Sequence, residues 1–264
     1  MVLQDKIVLI TGADNDLGNV LALLMANRGA KLALVARSSE ELDVLTAQCQ
    51  HYTTESAAFA LDDNSPESVE NLAKQVLDKF GKVDILINNN GVGSWNILTQ
   101  QSTEEIINTI QINLTNTILL TRALLPNLVK NKDGAQIVNM CSIASKLPLP
   151  MMAVYTATKF GLYGFAEALR RELAETKVDI INVISSPVDS NYFEGEEAVG
   201  RKQAEVIGIG APEEVAEGIF DAINRREKEV VIGGFNKFTL FANRVAPSLS
   251  ESLVKQVFSK MMHN

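Results

Sequence analysis

Seven short runs of apolar, largely β-branched residues recur along the chain: "KIVLIT", "KLALVA", "AAFAL", "VDILIN", "AQIVNM", "DIINVI" and "EVVIGG". Longer segments with helical spacing of apolar residues separate them. Runs that are apolar at nearly every position, rather than at alternate ones, suit strands covered on both faces, and a parallel sheet between two helical layers covers them in that way. The pattern therefore predicts the α/β class, with a doubly wound, Rossmann-type parallel sheet flanked by helices on both faces. No linker-like or low-complexity stretch interrupts it, so the 264 residues, 46% of them hydrophobic, read as one domain over 1–264. A helical tail closes it over about 235–264, where Pro247 splits two short amphipathic helices.

A net charge of -8 gives no general pull toward nucleic acid or anionic membrane and leaves room only for a local basic site. With only Cys49 and Cys141, neither a disulfide framework nor a structural zinc site is expected, and no metal is; a reducing, cytoplasmic setting fits. The opening "MVLQDKIVLITG" has no basic leader followed by a long apolar segment, and reads as a first strand running into a turn. No apolar stretch reaches the roughly 18 to 20 residues that span a bilayer, so no transmembrane segment is expected. The longest helical candidates, about Thr103–Val129 and Met152–Ala174, carry apolar residues on more than one face. The second face either packs within the chain or joins a homodimer or homotetramer. The tail can pack on the core, form a substrate lip or a dimer contact, or touch lipid.

In "ITGADNDLGNVLALLMANRG", Ile10–Gly29, an apolar run passes through a turn into a helix. Such a turn aims backbone N–H groups and the positive end of the helix dipole at one spot, which suits a pyrophosphate. Here Gly12, Asn15, Asp16, Leu17 and Gly18 would line it. The spacing is not GxGxxG, and glycine also serves ordinary turns. The second run ends in Ala36 and Arg37. An acidic residue at that edge would hold a ribose 2'-hydroxyl, whereas a guanidinium suits a 2'-phosphate and hence NADP(H), with NAD(H) second; a solvated surface arginine is the plainer alternative.

"CSIASKLPLPMMAVYTATKFG", Cys141–Gly161, places Tyr155 and Lys159 four apart on a helical segment, so both emerge from one face. Ser142 follows the run "AQIVNM" and so falls at the carboxyl edge of the sheet, where doubly wound folds bind ligands. A phenol is a poor proton donor and acceptor at neutral pH unless a nearby ammonium stabilises its anion. A serine hydroxyl facing the same space can bond a carbonyl oxygen as that oxygen gains charge. A surface Tyr–Lys pair is the plainer reading of the two residues alone.

At these residues the chain resembles, over essentially its whole length, the short-chain dehydrogenase/reductase family. The family's TGxxxGxG turn is similar to "TGADNDLG", its NNAG to "NNNG" at Asn88–Gly91, and its YxxxK to "YTATK"; its helical asparagine matches Asn113 and its catalytic serine Ser142. The resemblance implies that Tyr155 donates the proton, that Lys159 also binds the nicotinamide ribose, that Ser142 orients the carbonyl, and that Asn113 holds a relay water. It further implies that Asp62 and Asp63 line the adenine site, with Asn89, Asn90 and Gly91 beside the adenosine ribose. Asp16 stands at the family's middle glycine, Asn90 at its alanine, and "ISSPVDS" replaces its usual proline-glycine pair, leaving Pro187 and Val188 as the nicotinamide contact. Asp16 either caps the helix or pairs with Arg37 and occupies the anion site itself. The expected function is NADP-dependent interconversion of a ketone or aldehyde and an alcohol. The alternative is a dinucleotide-sensing or scaffold protein of the same fold. Leu147, Leu149, Met151 and Met152 point to a hydrophobic or acyl-like substrate, or to simple packing.

Overall fold

The computed structural model describes residues 3–37, 40–52, 55–61, 65–186, 188, 193–194, 210–248 and 251–252. All seven predicted runs are strands: β1 (Ile7–Thr11), β2 (Lys31–Ala36), β3 (Ala57–Ala60), β4 (Ile85–Asn88), β6 (Ala135–Met140), β7 (Val178–Ile184) and β9 (Glu229–Val231). They form one parallel sheet in the order β3-β2-β1-β4-β6-β7-β9. Chain order reverses between β1 and β4, which opens a crevice at their carboxyl ends. Two short strands absent from the sequence reading, β5 (Gly93–Ser94) and β8 (Phe193–Glu194), pair in parallel and tie the loop after β4 to the segment after β7.

Alternate residues of each strand feed different helical layers. Val8 and Ile10 of β1 pack with α1 (Asp16–Asn27), α2 (Glu40–Gln50) and α7 (Pro212–Arg225). Leu9, between them, packs with α3 (Pro66–Phe80), α5 (Asn116–Lys130) and α6 (Ala153–Glu172). This is why the strands are apolar throughout. The predicted helix over 103–129 is found as α4 (Thr103–Ile110), a π-helical turn at Gln111–Thr115, and α5. The predicted helix over 152–174 is α6. The first tail helix is α8 (Gly234–Val245), which ends before Pro247; residues 253–264 of the tail lie outside the described residues. No described helix is long and apolar enough to cross a membrane.

Local chemistry sets the boundaries. Ser65 caps α3 by accepting from the Ser68 N–H, Pro66 supplies a ready-made φ at the first turn, and Gly81 closes the helix at φ 75°. Ser102 and Glu105 form a reciprocal capping box on α4.

Asp84, at the entrance to β4, is 2% exposed and links the sheet edge to two loops. It accepts from the Ile7 N–H at 2.8 Å, the Asn131 amide at 2.8 Å and the Lys82 ammonium at 2.9 Å. Burial pushes its carboxyl up, but those donors together outweigh burial and hold it below its ordinary value. A depressed carboxyl stabilises the fold above its unfolded pKa, near 4, and loses that contribution as pH falls through the folded value. Asp84→Ala is therefore expected to cost about 3 kcal/mol in urea unfolding at pH 7, with a smaller gap from wild type near pH 3.

Candidate active site

Where β1 meets α1 the chain turns within a space that admits no extra carbon. Gly12 has φ 62°, and a Cβ on it would lie 3.0 Å from the Asn90 Cα. A Cβ on Gly18 would lie 2.0 Å from the Gly12 carbonyl oxygen. Side-chain amides clamp the turn. Asn15 caps α1 by accepting from the Gly18 N–H at 2.7 Å. Asn89 donates to the Thr11 and Gly12 carbonyls at 3.1 and 3.0 Å and to the Asn15 Oδ1 at 3.3 Å. The Thr11 hydroxyl accepts from the N–H groups of Asn89 and Asn90, both at 3.0 Å. The "NNNG" segment thus braces the glycine turn.

Asp16 is the exposed first residue of α1, at the positive end of the helix. Asp14, in the same turn, lies within electrostatic reach of Arg37. Burial raises its carboxyl above the ordinary value, opposed by its own N–H, by the Arg37 guanidinium and by the Arg37 N–H. Arg37 is exposed at the end of β2.

The facing wall comes from β6 and α6. Ser142 follows β6 with φ 68° and ψ 158°, a conformation that side chains rarely adopt and that costs about 1 to 3 kcal/mol. Its neighbours enforce it: the Cys141 N–H donates to the Val183 carbonyl at 2.8 Å, the Ile143 N–H to the Ser185 carbonyl at 3.0 Å, and the Ser145 hydroxyl to the Ser142 carbonyl at 2.7 Å. Lys146 then fastens the turn to Glu229 at 2.6 Å, and Glu229 also accepts from the Tyr163 hydroxyl at 2.9 Å. On α6, the Lys159 ammonium donates to the Met140 carbonyl at 2.8 Å and lies 5.6 Å from the centre of the Tyr155 ring. Both side chains are buried, at 3% and 5% exposure.

Between these walls lies an open cleft lined by Asn15, Leu17 and Asn89 on one side and Ser142, Tyr155 and Lys159 on the other, together with Val188. Asp16 does not line it. A dinucleotide fits this donor set: a glycine cradle that a Cβ would fill lies at the start of α1, and a hydroxyl, a phenol and an ammonium share the space beyond it. Asn90 lines a smaller neighbouring hollow with Thr11, Asn88 and Asn116, and Gly91 is half-buried beside it. Asn113 sits one layer behind the cleft in the π-helical turn. Its amide accepts from the Val92 N–H at 2.8 Å, donates to the Val92 carbonyl at 2.9 Å, and reaches Thr158 at 3.3 Å. Asp62, Asp63 and Pro187 lie outside the described residues.

Ser185 and Ser186, in the same run "ISSPVDS" as Val188, also line the cleft. Trp95, the chain's one tryptophan, was missed in the sequence: it packs with Leu149 against Ala144, Met152 and Tyr155, and donates to the Met151 sulfur at 3.3 Å. Leu147 instead joins Cys141, Ile143, Leu162 and Ile184 in a separate core cluster. Both cysteines are free and buried, their thiols pushed up by burial to about 12. Among the described residues no group of three or more His, Cys, Asp or Glu side chains is placed to hold a metal.

Fold and site together define a doubly wound α/β protein with a ligand-sized cleft at the carboxyl edge of its sheet. The profile described as short chain dehydrogenase matches residues 6–199, and the chain belongs to that family. An uncharacterized oxidoreductase of Staphylococcus epidermidis is 29% identical over 206 residues, covering 78% of this chain and 88% of that protein. A 3-oxoacyl-(acyl-carrier-protein) reductase, FabG, of Vibrio cholerae is 30% identical over 223 residues, covering 83% and 90%. A short chain dehydrogenase/reductase from Burkholderia phymatum, solved in complex with NAD, shares the fold at TM-score 0.83 and 23% identity, over 94% of this chain and 96% of that one. A metagenomic short-chain oxidoreductase solved in complex with NADP superposes at TM-score 0.73 with 27% identity, over 88% and 98%.

Proposed function

We propose that this oxidoreductase uses a nicotinamide dinucleotide, NADP(H) before NAD(H), to interconvert a ketone or aldehyde with an alcohol. The observation that carries the reading is the cleft itself, with Asn15, Leu17 and Asn89 around the tight glycine turn on one wall and Ser142, Tyr155 and Lys159 on the other. The NAD- and NADP-bound structural neighbours support the cofactor class. When bound, the cofactor supplies or takes up hydride.

The chain's own residues do the rest. The turn from Gly12 to Gly18, with Asn15 and Leu17, would receive the pyrophosphate; Asn89, Asn90 and Gly91 would flank the adenosine ribose; and Val188 would meet the nicotinamide end. Ser142, whose Oγ accepts from the Ala144 N–H at 3.3 Å, donates its hydroxyl proton to the carbonyl oxygen. Tyr155 passes its phenolic proton to the same oxygen, and the Lys159 ammonium stabilises the phenolate left behind while also holding the nicotinamide ribose. Asn113 serves the relay through its backbone carbonyl, since its amide is engaged with Val92 and Thr158. Trp95, Leu149 and Met152 beside Tyr155 favour a hydrophobic or acyl-like carbonyl, and the 3-oxoacyl reductase among the relatives supports that class. A cytoplasmic homodimer or homotetramer completes the reading, supported by Ile107 and Ile110 of α4 and Phe160 of α6, which are 60%, 41% and 41% exposed.

Cofactor choice turns on two charges. Arg37 attracts a 2'-phosphate, and Asp14 beside it offsets part of that attraction. Titration followed by nicotinamide fluorescence should show NADPH binding about tenfold tighter than NADH, a preference that Arg37→Ala removes and Asp14→Ser widens by a further ~3- to 10-fold. Tighter binding of NADH, or an Arg37→Ala variant with unchanged NADPH affinity, would reverse the assignment.

A further inference from the structure

Helix α8 presents its apolar face to solvent. Phe235, Phe238, Phe241 and Val245 are 57%, 69%, 65% and 65% exposed. At 100° per residue they fall within one stripe about a third of the helix wide. The opposite face holds the helix down: Asn236, 3% exposed, donates to the Ile232 carbonyl at 2.7 Å and accepts from the Ser186 hydroxyl at 2.9 Å, while Leu240 packs on the cluster around Cys141 and Ile184. Three exposed phenylalanines on a helix fixed in this way form a built surface rather than a loose end.

Charge distinguishes this surface from the exposed apolar face of α4. Ile107 and Ile110 of α4 stand beside Glu104 and Glu105. By contrast, Val230–Ser250 contains no Asp or Glu and two cations, Lys237 and Arg244, in a chain with 32 acidic residues. Both cations are exposed and border the aromatic stripe. Aromatic side chains flanked by cations suit the boundary between anionic headgroups and acyl chains. We propose that α8 docks the protein on a negatively charged lipid surface, with Phe235, Phe238 and Phe241 entering the acyl boundary and Lys237 and Arg244 among the headgroups.

Docking there brings the membrane next to the cleft, because Ser186 lines the cleft and is bonded to Asn236 of the docked helix. An apolar carbonyl compound dissolved in the bilayer would then reach the site with little exposure to water.

The test is co-sedimentation of the full chain with vesicles of phosphatidylcholine alone and of phosphatidylcholine with about one-third phosphatidylglycerol. Vesicle binding needs neither cofactor nor substrate, so its outcome is separate from that of the proposed chemistry. The chain should partition to the anionic vesicles and be released by salt. Phe238→Ser with Phe241→Ser should lower the partition coefficient by about 10- to 100-fold, and Lys237→Glu with Arg244→Glu should remove the preference for anionic lipid. Thermal unfolding of both double variants should match that of wild type, since these side chains are exposed. Absence of binding to anionic vesicles, or binding unchanged by the phenylalanine substitutions, overturns the proposal. An oligomer that dissociates in the phenylalanine variant, with no vesicle binding by wild type, overturns it in favour of a second copy of the chain as the occupant.

Discussion

Tyr155→Phe should lower kcat for carbonyl reduction by about 10²- to 10⁴-fold, the range that a positioned acid/base contributes. The substitution removes one oxygen and keeps the ring, so packing against Ala144, Met152, Trp95 and Leu149 is preserved and the melting temperature should barely move. NADPH affinity should stay within about threefold of wild type, because the loss concerns proton transfer and not ground-state binding. A steady-state assay on a panel of apolar ketones and 3-oxoacyl thioesters, with NADPH binding measured in parallel, separates the two effects. Turnover that survives in the variant would remove Tyr155 from the chemistry, whatever the cofactor does.

The second large effect is expected at Gly18. An alanine Cβ would meet the Gly12 carbonyl oxygen at 2.0 Å and the Ala13 Cα at 2.8 Å, both backbone atoms with no rotamer by which to escape. The turn must open, which also displaces the Gly18 N–H from Asn15 and the Gly12 carbonyl from Asn89. Gly18→Ala should therefore cost about 2 kcal/mol or more in unfolding and weaken NADPH by about 100-fold, since a shift near 1 Å in a positioning group is enough for that. Thermal denaturation and fluorescence titration of one preparation report both quantities. Normal NADPH affinity in a folded Gly18→Ala protein would mean that the phosphates lie elsewhere.

Sheet and helices were legible in the sequence because their signal is repeated: each strand is apolar at nearly every residue, and one physical cause, burial between two layers, acts on all seven runs. Ser142, Tyr155 and Lys159 were legible for a related reason, since a strand end and one helical turn fix their relative positions. What escaped depends on contacts between segments distant in sequence. Asp14 lies in the turn after β1, and only the path of the chain past the end of β2 brings it within electrostatic reach of Arg37. Trp95 reaches Tyr155 through a loop whose course is set by the two-residue pairing of β5 with β8, too short to leave a pattern. The partners of the Asn113 amide, Val92 and Thr158, likewise lie in segments distant in sequence.

Ser142 occupies backbone angles that belong by right to glycine, and the chain keeps a side chain there nonetheless. Every folded molecule thus carries a standing penalty of about 1 to 3 kcal/mol, against a total stability that for most domains is only about 5 to 15 kcal/mol. On the function proposed above, the fold surrenders a fraction of its reserve to keep one hydroxyl in place, and so has less tolerance for other destabilising changes than its well-filled core suggests. Robustness to mutation and the aim of a single oxygen are set against each other at this residue, and this sequence has settled in favour of the oxygen.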